Sequence, residues 1–174
     1  MKVKELTLNG LFLVSEEPMK DERGEFSRVY CSKEFEKNGL ESYFQQVNRS
    51  ISKEKGTLRG LHFQVGKSAE AKYVRVLAGE IFDVAVDVRP ESSTYLKWEA
   101  VKLNSSIKTG FYLSPGFAHG IMTLQENTEI EYFVSQPYDA VSERGLLWND
   151  TKIGIQWPMD PTVISKKDSS WGAL

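Results

Sequence analysis

From Lys72 onward, turn-forming residues recur at intervals of 11 to 14 positions: Gly79, Pro90, Asn104, Pro115 with Gly116, and Asn127, with β-branched and aromatic runs between them. That spacing leaves room for short strands and predicts a sandwich or barrel. The runs alternate. In IFDVAVDVR, Phe82, Val84, Val86 and Val88 share one face, while Ile81, Asp83, Ala85 and Asp87 share the other. In EIEYFVS, Ile130, Tyr132 and Val134 oppose Glu129, Glu131 and Phe133, so Tyr132 is expected to point inward, where its phenol needs a partner. Helix is scarce: SKEFEKNG offers Ser32 as N-cap and Gly39 as C-terminal stop around about two turns.

A chain of 174 residues with no linker, repeat or low-complexity tract reads as one domain, 1–174. Its polar closing segment after Trp157 is expected to lie as an arm over the core. With 40% hydrophobic and 26% charged residues, disorder is excluded. The net charge of −2 provides no global positive field for nucleic acid or an anionic membrane, so an anionic ligand must meet local cations. Cys31 is the only cysteine, which rules out an intramolecular disulfide and fits a reducing, cytoplasmic setting. The start, MKVKELTLNGLFLV, lacks the unbroken apolar stretch of a signal peptide.

The chain has two histidines, His62 in LRGLHFQ and His119 in SPGFAHG, each where a β segment meets a glycine. They are 57 positions apart, with no HxH, HxxxH or HExxH, so a metal site of convergent imidazoles is not expected. GxGxxG, GxxxxGK[ST] and GxSxG are also absent, which removes support for dinucleotide, kinase and esterase chemistry. Cations gather near the histidine motifs: Arg23 in DERGEF, Arg59 three residues before His62, and Lys72 ten after it. Arginine forks suit phosphate oxygens.

DERGEF, QVN, GTLRGLHFQ, KYVRVLAGEIFDVAVDVR, SPGFAHG, WND and SKKD, in that order, make the chain from about Lys2 to Asp168 resemble the dTDP-4-dehydrorhamnose 3,5-epimerase family of nucleotide-sugar epimerases. The resemblance implies an all-β fold, a double-stranded β-helix or cupin-type jelly roll with one or few short helices. It also implies a homodimer with N-terminal strands exchanged or packed across the interface, and chemistry free of cofactor and metal. The implied substrate is a dTDP-linked 4-keto-6-deoxyhexose, inverted at C3 and C5.

Through the same resemblance His62 matches the base, Asp168 the carboxylate that orients it, Tyr132 the acid, and Lys72 the cation beside the developing enolate oxygen. His119 and Asp83 resemble a second pair lining the pocket. Arg23, Phe26, Gln46, Asn48 and Arg59 fall on positions that hold diphosphate and nucleoside. Tyr138 is grouped with these substrate-binding positions and is the nearest other phenol to Tyr132. Two departures stand out. KSAEAK places Glu70 where a glutamine is usual, and Ile121 follows GFAHG where an aromatic is common. Two alternatives are a mono-epimerase sharing all these residues and a silent nucleotide-sugar-binding cupin, which should lack the acid or base. The histidine count disfavours a metal-dependent cupin.

Overall fold

The alternating runs become two facing β-sheets in the computed structural model, which describes residues 1–174. In chain order the strands are β1 (Lys2–Glu5), β2 (Leu11–Ser15), β3 (Met19–Asp21), β4 (Gly24–Phe26), β5 (Gln46–Ser52), β6 (Thr57–Gln64), β7 (Lys72–Ala78), β8 (Glu80–Asp87), β9 (Trp98–Asn104), β10 (Thr109–Leu113), β11 (Phe117–Thr123), β12 (Thr128–Val134), β13 (Glu143–Gly145) and β14 (Val163–Ile164). The helices are α1 (Ser32–Lys37) and α2 (Lys166–Ser169). One sheet has the order β1-β2-β10-β7-β12-β5, and the other β13-β6-β11-β8-β9 with β14 parallel to β6. From β5 to β8, and again from β9 to β12, each connection crosses between sheets, which is the winding of a jelly roll. β3 and β4 form a separate hairpin.

The turns read from the sequence sit between these strands. Gly79 joins β7 to β8 at φ +79°, and Asn127 precedes β12 at φ +51°, both in the left-handed region that glycine and asparagine tolerate best.

Between the sheets lies a core that includes Leu11, Val74, Ile81, Ala85, Leu103, Phe111 and Ile121. A fully buried side chain of this size contributes about 1.5 to 3 kcal/mol. Both faces of β8 are covered, and the more apolar one faces outward. Ile81 and Ala85 join the inter-sheet core, whereas Val84 and Val86 pack outside with Leu61 and Ala118 against Leu146, Ile153 and Ile155. A second apolar layer therefore covers one sheet, which leaves its inner face free to carry Asp83 and Asp87, both fully buried. The outer face of the other sheet is capped by α1, whose Phe35 packs with Val14, Tyr73 and Tyr112.

Two expectations need correction. The cap position of α1 is Cys31, without a side-chain bond; Ser32 is the first helical residue, while Gly39 ends the turn at φ +72° as read. The segment covering the outer apolar face spans residues 146–157, ahead of the expected arm. The residues after Trp157 instead add β14 to β6 and form α2. No helix is long and apolar enough to cross a membrane.

Candidate active site

The site begins where β6 and β11 come unusually close. Gly60 has φ +117°, and a Cβ there would lie 2.6 Å from both Gly120 Cα and the His119 carbonyl oxygen. Only glycine permits that approach. The register sets His62 opposite His119 and shifts before Ile121, so both imidazoles face the inter-sheet space at one end of the roll.

Each imidazole is held by a buried carboxylate. His62 Nε2 lies 2.7 Å from Asp168 Oδ1, and the other oxygen of Asp168 accepts from the Gly60 backbone N–H at 3.2 Å. Asp168 is delivered by the closing segment: β14 pairs with Thr57 and Leu58, and Ser165 caps α2 by accepting from Asp168 N at 3.0 Å. His119 Nε2 lies 2.7 Å from Asp83 Oδ1 on the neighbouring β8, and Asp83 Oδ2 has no hydrogen-bond partner. Burial pushes the His62 pKa below the ordinary imidazole value; Asp168 opposes that shift, and Lys72 adds to it. With Nε2 held by an acceptor, the neutral ring carries its proton there and leaves Nδ1 as the basic nitrogen.

The facing sheet supplies Lys72, at the start of β7, and Tyr132, which pairs with Val74 and Asn48 in β12. Tyr132 points inward as its alternation required, packed against the inter-sheet core. No group of the chain hydrogen-bonds its hydroxyl; the ring lines the cavity. Burial raises the phenol pKa, against a smaller lowering by Arg59, so Tyr132 keeps its proton at neutral pH. Lys72 Nζ lies 3.1 Å from Glu70 Oε1 and 3.4 Å from the His62 carbonyl oxygen.

These groups line a cavity of about 470 Å³ that includes Arg59, His62, Lys72, His119, Tyr132 and Asp168, with apolar walls from Leu58, Ile121 and Ile130. A second cavity of about 240 Å³ shares His62, Lys72 and Tyr132 with it and adds Gln46, Asn48, Glu70 and Tyr138. Ten of the twelve expected site residues thus converge, with Asp83 standing behind His119. Arg23 and Phe26 do not. They lie on the β3–β4 hairpin, with the Arg23 side chain 84% exposed and Phe26 60% exposed; Arg23 pairs with Asp21, and neither reaches either cavity.

Sequence reasoning passed over two charged groups in the cleft. Lys167 Nζ lies 2.6 Å from both oxygens of Glu143, whose Oε2 also accepts from the Tyr138 hydroxyl at 2.9 Å. Burial of Glu143 would raise its pKa, but Lys167 and Tyr138 together hold it below the usual carboxylate value. Adjacency to Asp168 in SKKD was the one signal for Lys167; Glu143 lies in a three-residue strand and had none.

The sequence pattern of the dTDP-4-dehydrorhamnose 3,5-epimerase family matches residues 5–174. A protein of that description from Sinorhizobium fredii is 44% identical over 175 residues, covering 100% of this chain and 90% of its own length. The chain belongs to this family. Solved structures agree. The dTDP-4-dehydrorhamnose 3,5-epimerase of Elizabethkingia anophelis superposes with a TM-score of 0.95 at 38% identity, covering 99% of this chain and 96% of its own. The dTDP-6-deoxy-D-glucose-3,5-epimerase of Legionella pneumophila, solved in complex with dTDP-4-keto-L-rhamnose, superposes with a TM-score of 0.92 at 34% identity, covering 99% of this chain and 92% of its own. Membership of the epimerase family brings with it the cupin jelly-roll fold already evident in the sheet order.

Proposed function

We propose that this chain inverts C3 and C5 of a dTDP-linked 4-keto-6-deoxyglucose to give the 4-keto-L-rhamnose form, with residues 1–174 acting as one cupin-type domain. The observation that carries the reading is the placement of a carboxylate-held imidazole, His62, and a protonated phenol, Tyr132, on opposite sheets around one cavity. Inversion beside a ketone needs a base on one face of the sugar and a proton donor on the other.

In this reading the neutral His62 removes the proton beside the ketone, and the electron pair moves onto the ketone oxygen as an enolate. Asp168 supports the imidazolium that forms. Lys72 faces the enolate oxygen with its positive charge. Tyr132 then gives its proton to the opposite face of the carbon; before the second inversion His62 releases the proton it took and Tyr132 regains one, both by exchange with solvent. Because the carbanion spreads onto the substrate's own oxygen, the reaction calls for no cofactor.

Arg59, with Gln46 and Asn48, borders the space where the diphosphate and nucleoside enter, and the ligand of the Legionella relative is a nucleotide sugar of this class. Arg23 and Phe26 act on the same ligand from a second copy of the chain, in a homodimer. Their exposure on a hairpin outside their own chain's cavity supports this role. The lone, unpaired Cys31 is compatible with work in the cytoplasm.

The test is incubation with dTDP-4-keto-6-deoxyglucose in deuterated water, reading label at C3 and C5 separately. Label at both carbons of the inverted product is expected. Label at one carbon alone would make the protein a mono-epimerase, and binding without label would make it a silent nucleotide-sugar binder.

A further inference from the structure

The cleft holds one more buried carboxylate that no step above uses. Glu70 follows the short turn Gly66–Ser68 between β6 and β7, and its side chain is 7% exposed. One oxygen lies 3.1 Å from Lys72 Nζ, and the other accepts from Gln64 Nε2 at 2.8 Å. Gln64 is itself fixed, since its Nε2 also faces the Ser68 carbonyl oxygen at 2.9 Å and its Oε1 accepts from Asp139 N at 2.5 Å. Glu70 therefore sits between two donors. A carboxylate presents an acceptor to each; an amide of the same shape would present its NH₂ to one of them.

Lysine carries its charge on a flexible four-carbon stem, so its position has to be imposed from outside. At Lys72 the ammonium is bound between Glu70 and the His62 carbonyl oxygen, in the region shared by the two cavities. We infer that Glu70 is a positioning residue: braced by Gln64, it holds the Lys72 ammonium against the strand that bears the base. This rests on the proposed function for what Lys72 does there, but the tether itself is a property of the unliganded protein. It also means that the cation meeting the enolate is half of an ion pair rather than an isolated charge.

Two measurements on the full chain separate the tether from the reaction. In the first, reductive methylation of each lysine is followed by mass spectrometry without substrate. Lys72 should react at least about threefold faster in Glu70→Gln than in the wild type, with Lys167 unchanged. An unchanged Lys72 rate overturns the proposal.

In the second, Glu70→Gln should lower kcat for deuterium exchange by about 10- to 10²-fold, with KM within about twofold. In a Lys72→Met background the same change should cost nothing further. Equal losses in both backgrounds would mean that Glu70 acts by another route and would also overturn the inference. Should Glu70→Gln melt early, Glu70→Asp keeps the charge but withdraws it by one methylene, and the same outcomes apply. If the wild type exchanges no deuterium, the proposed function fails while the methylation result still decides the tether.

Discussion

His62 and Asp168 lie 106 residues apart along the chain and 2.7 Å apart in the cleft. The second oxygen of Asp168 is bound by the Gly60 N–H, and the Asp168 backbone N–H by Ser165, so the carboxylate is fixed before any substrate arrives. Asp168→Asn should lower kcat by about 10² or more, since the imidazolium then forms without an anion beside it.

The pH profile tests the same pair with a definite sign. Burial, joined by the nearby Lys72 charge, depresses the His62 pKa more than Asp168 and Glu143 raise it, so neutral imidazole persists below pH about 6.5, the ordinary imidazole value. The acid limb of kcat/KM is expected to lie below that value in the wild type. Removing the Asp168 charge favours the neutral ring further, so the limb should move to still lower pH in Asp168→Asn. A limb moving upward would show that another group is titrating.

Tyr132→Phe separates taking a proton from delivering one. The ring still packs against the inter-sheet core, and only the hydroxyl is lost. His62 can then remove a proton and return it to the same face, so deuterium should enter C3 with configuration retained while inverted product falls by roughly 10² or more. Parallel loss of exchange and inversion would mean that the phenol also stabilises the enolate. Normal inversion would pass the acid role to another residue, with Tyr138 in the adjoining cavity first in line.

Alternation along β8 and β12 made the strands and the inward Tyr132 legible, because a period of two is a local property of the chain. Which face of β8 points inward was not legible from hydrophobicity. The outer face is the more apolar one, and residues 146–157 that cover it are remote in sequence. His62 and His119 could be singled out by their glycine neighbours, whereas their carboxylate partners could not be found from spacing. Asp168 reaches His62 only because two residues of β14 pair with β6, and resemblance alone pointed to it. The Glu143–Lys167 pair was missed for the same reason: both lie in short, irregular stretches without periodicity.

The closing segment is also held by a contact that can be broken from a distance. Trp171 lies over Gly145, where a Cβ would fall 2.1 to 2.4 Å from indole atoms, and its ring centroid is 6.3 Å from that of His62. Gly145→Ala should displace the indole, loosen α2 with Asp168, and cost about 1 to 3 kcal/mol in stability. Adding Trp171→Ala should relieve the clash, leaving the double variant no less stable than Trp171→Ala alone. A fully additive loss in thermal melts would show that Gly145 is strained for another reason.

The most discriminating test concerns Arg23, whose side chain stands outside the cavity of its own chain. If Arg23 of one copy serves the site of another, the two lesions of a dimer built from one Arg23→Ala and one His62→Ala subunit fall in the same site. In a mixed dimer, the site with an intact His62 receives Arg23 from the partner and is whole, while the other site lacks both. Equal amounts allowed to exchange subunits should thus regain about one quarter of wild-type activity at low substrate, since half the dimers are mixed and each has one of two sites intact. Were Arg23 to act within its own chain, no combination of these subunits would contain an intact site, and mixing would give no gain over the average of the parents.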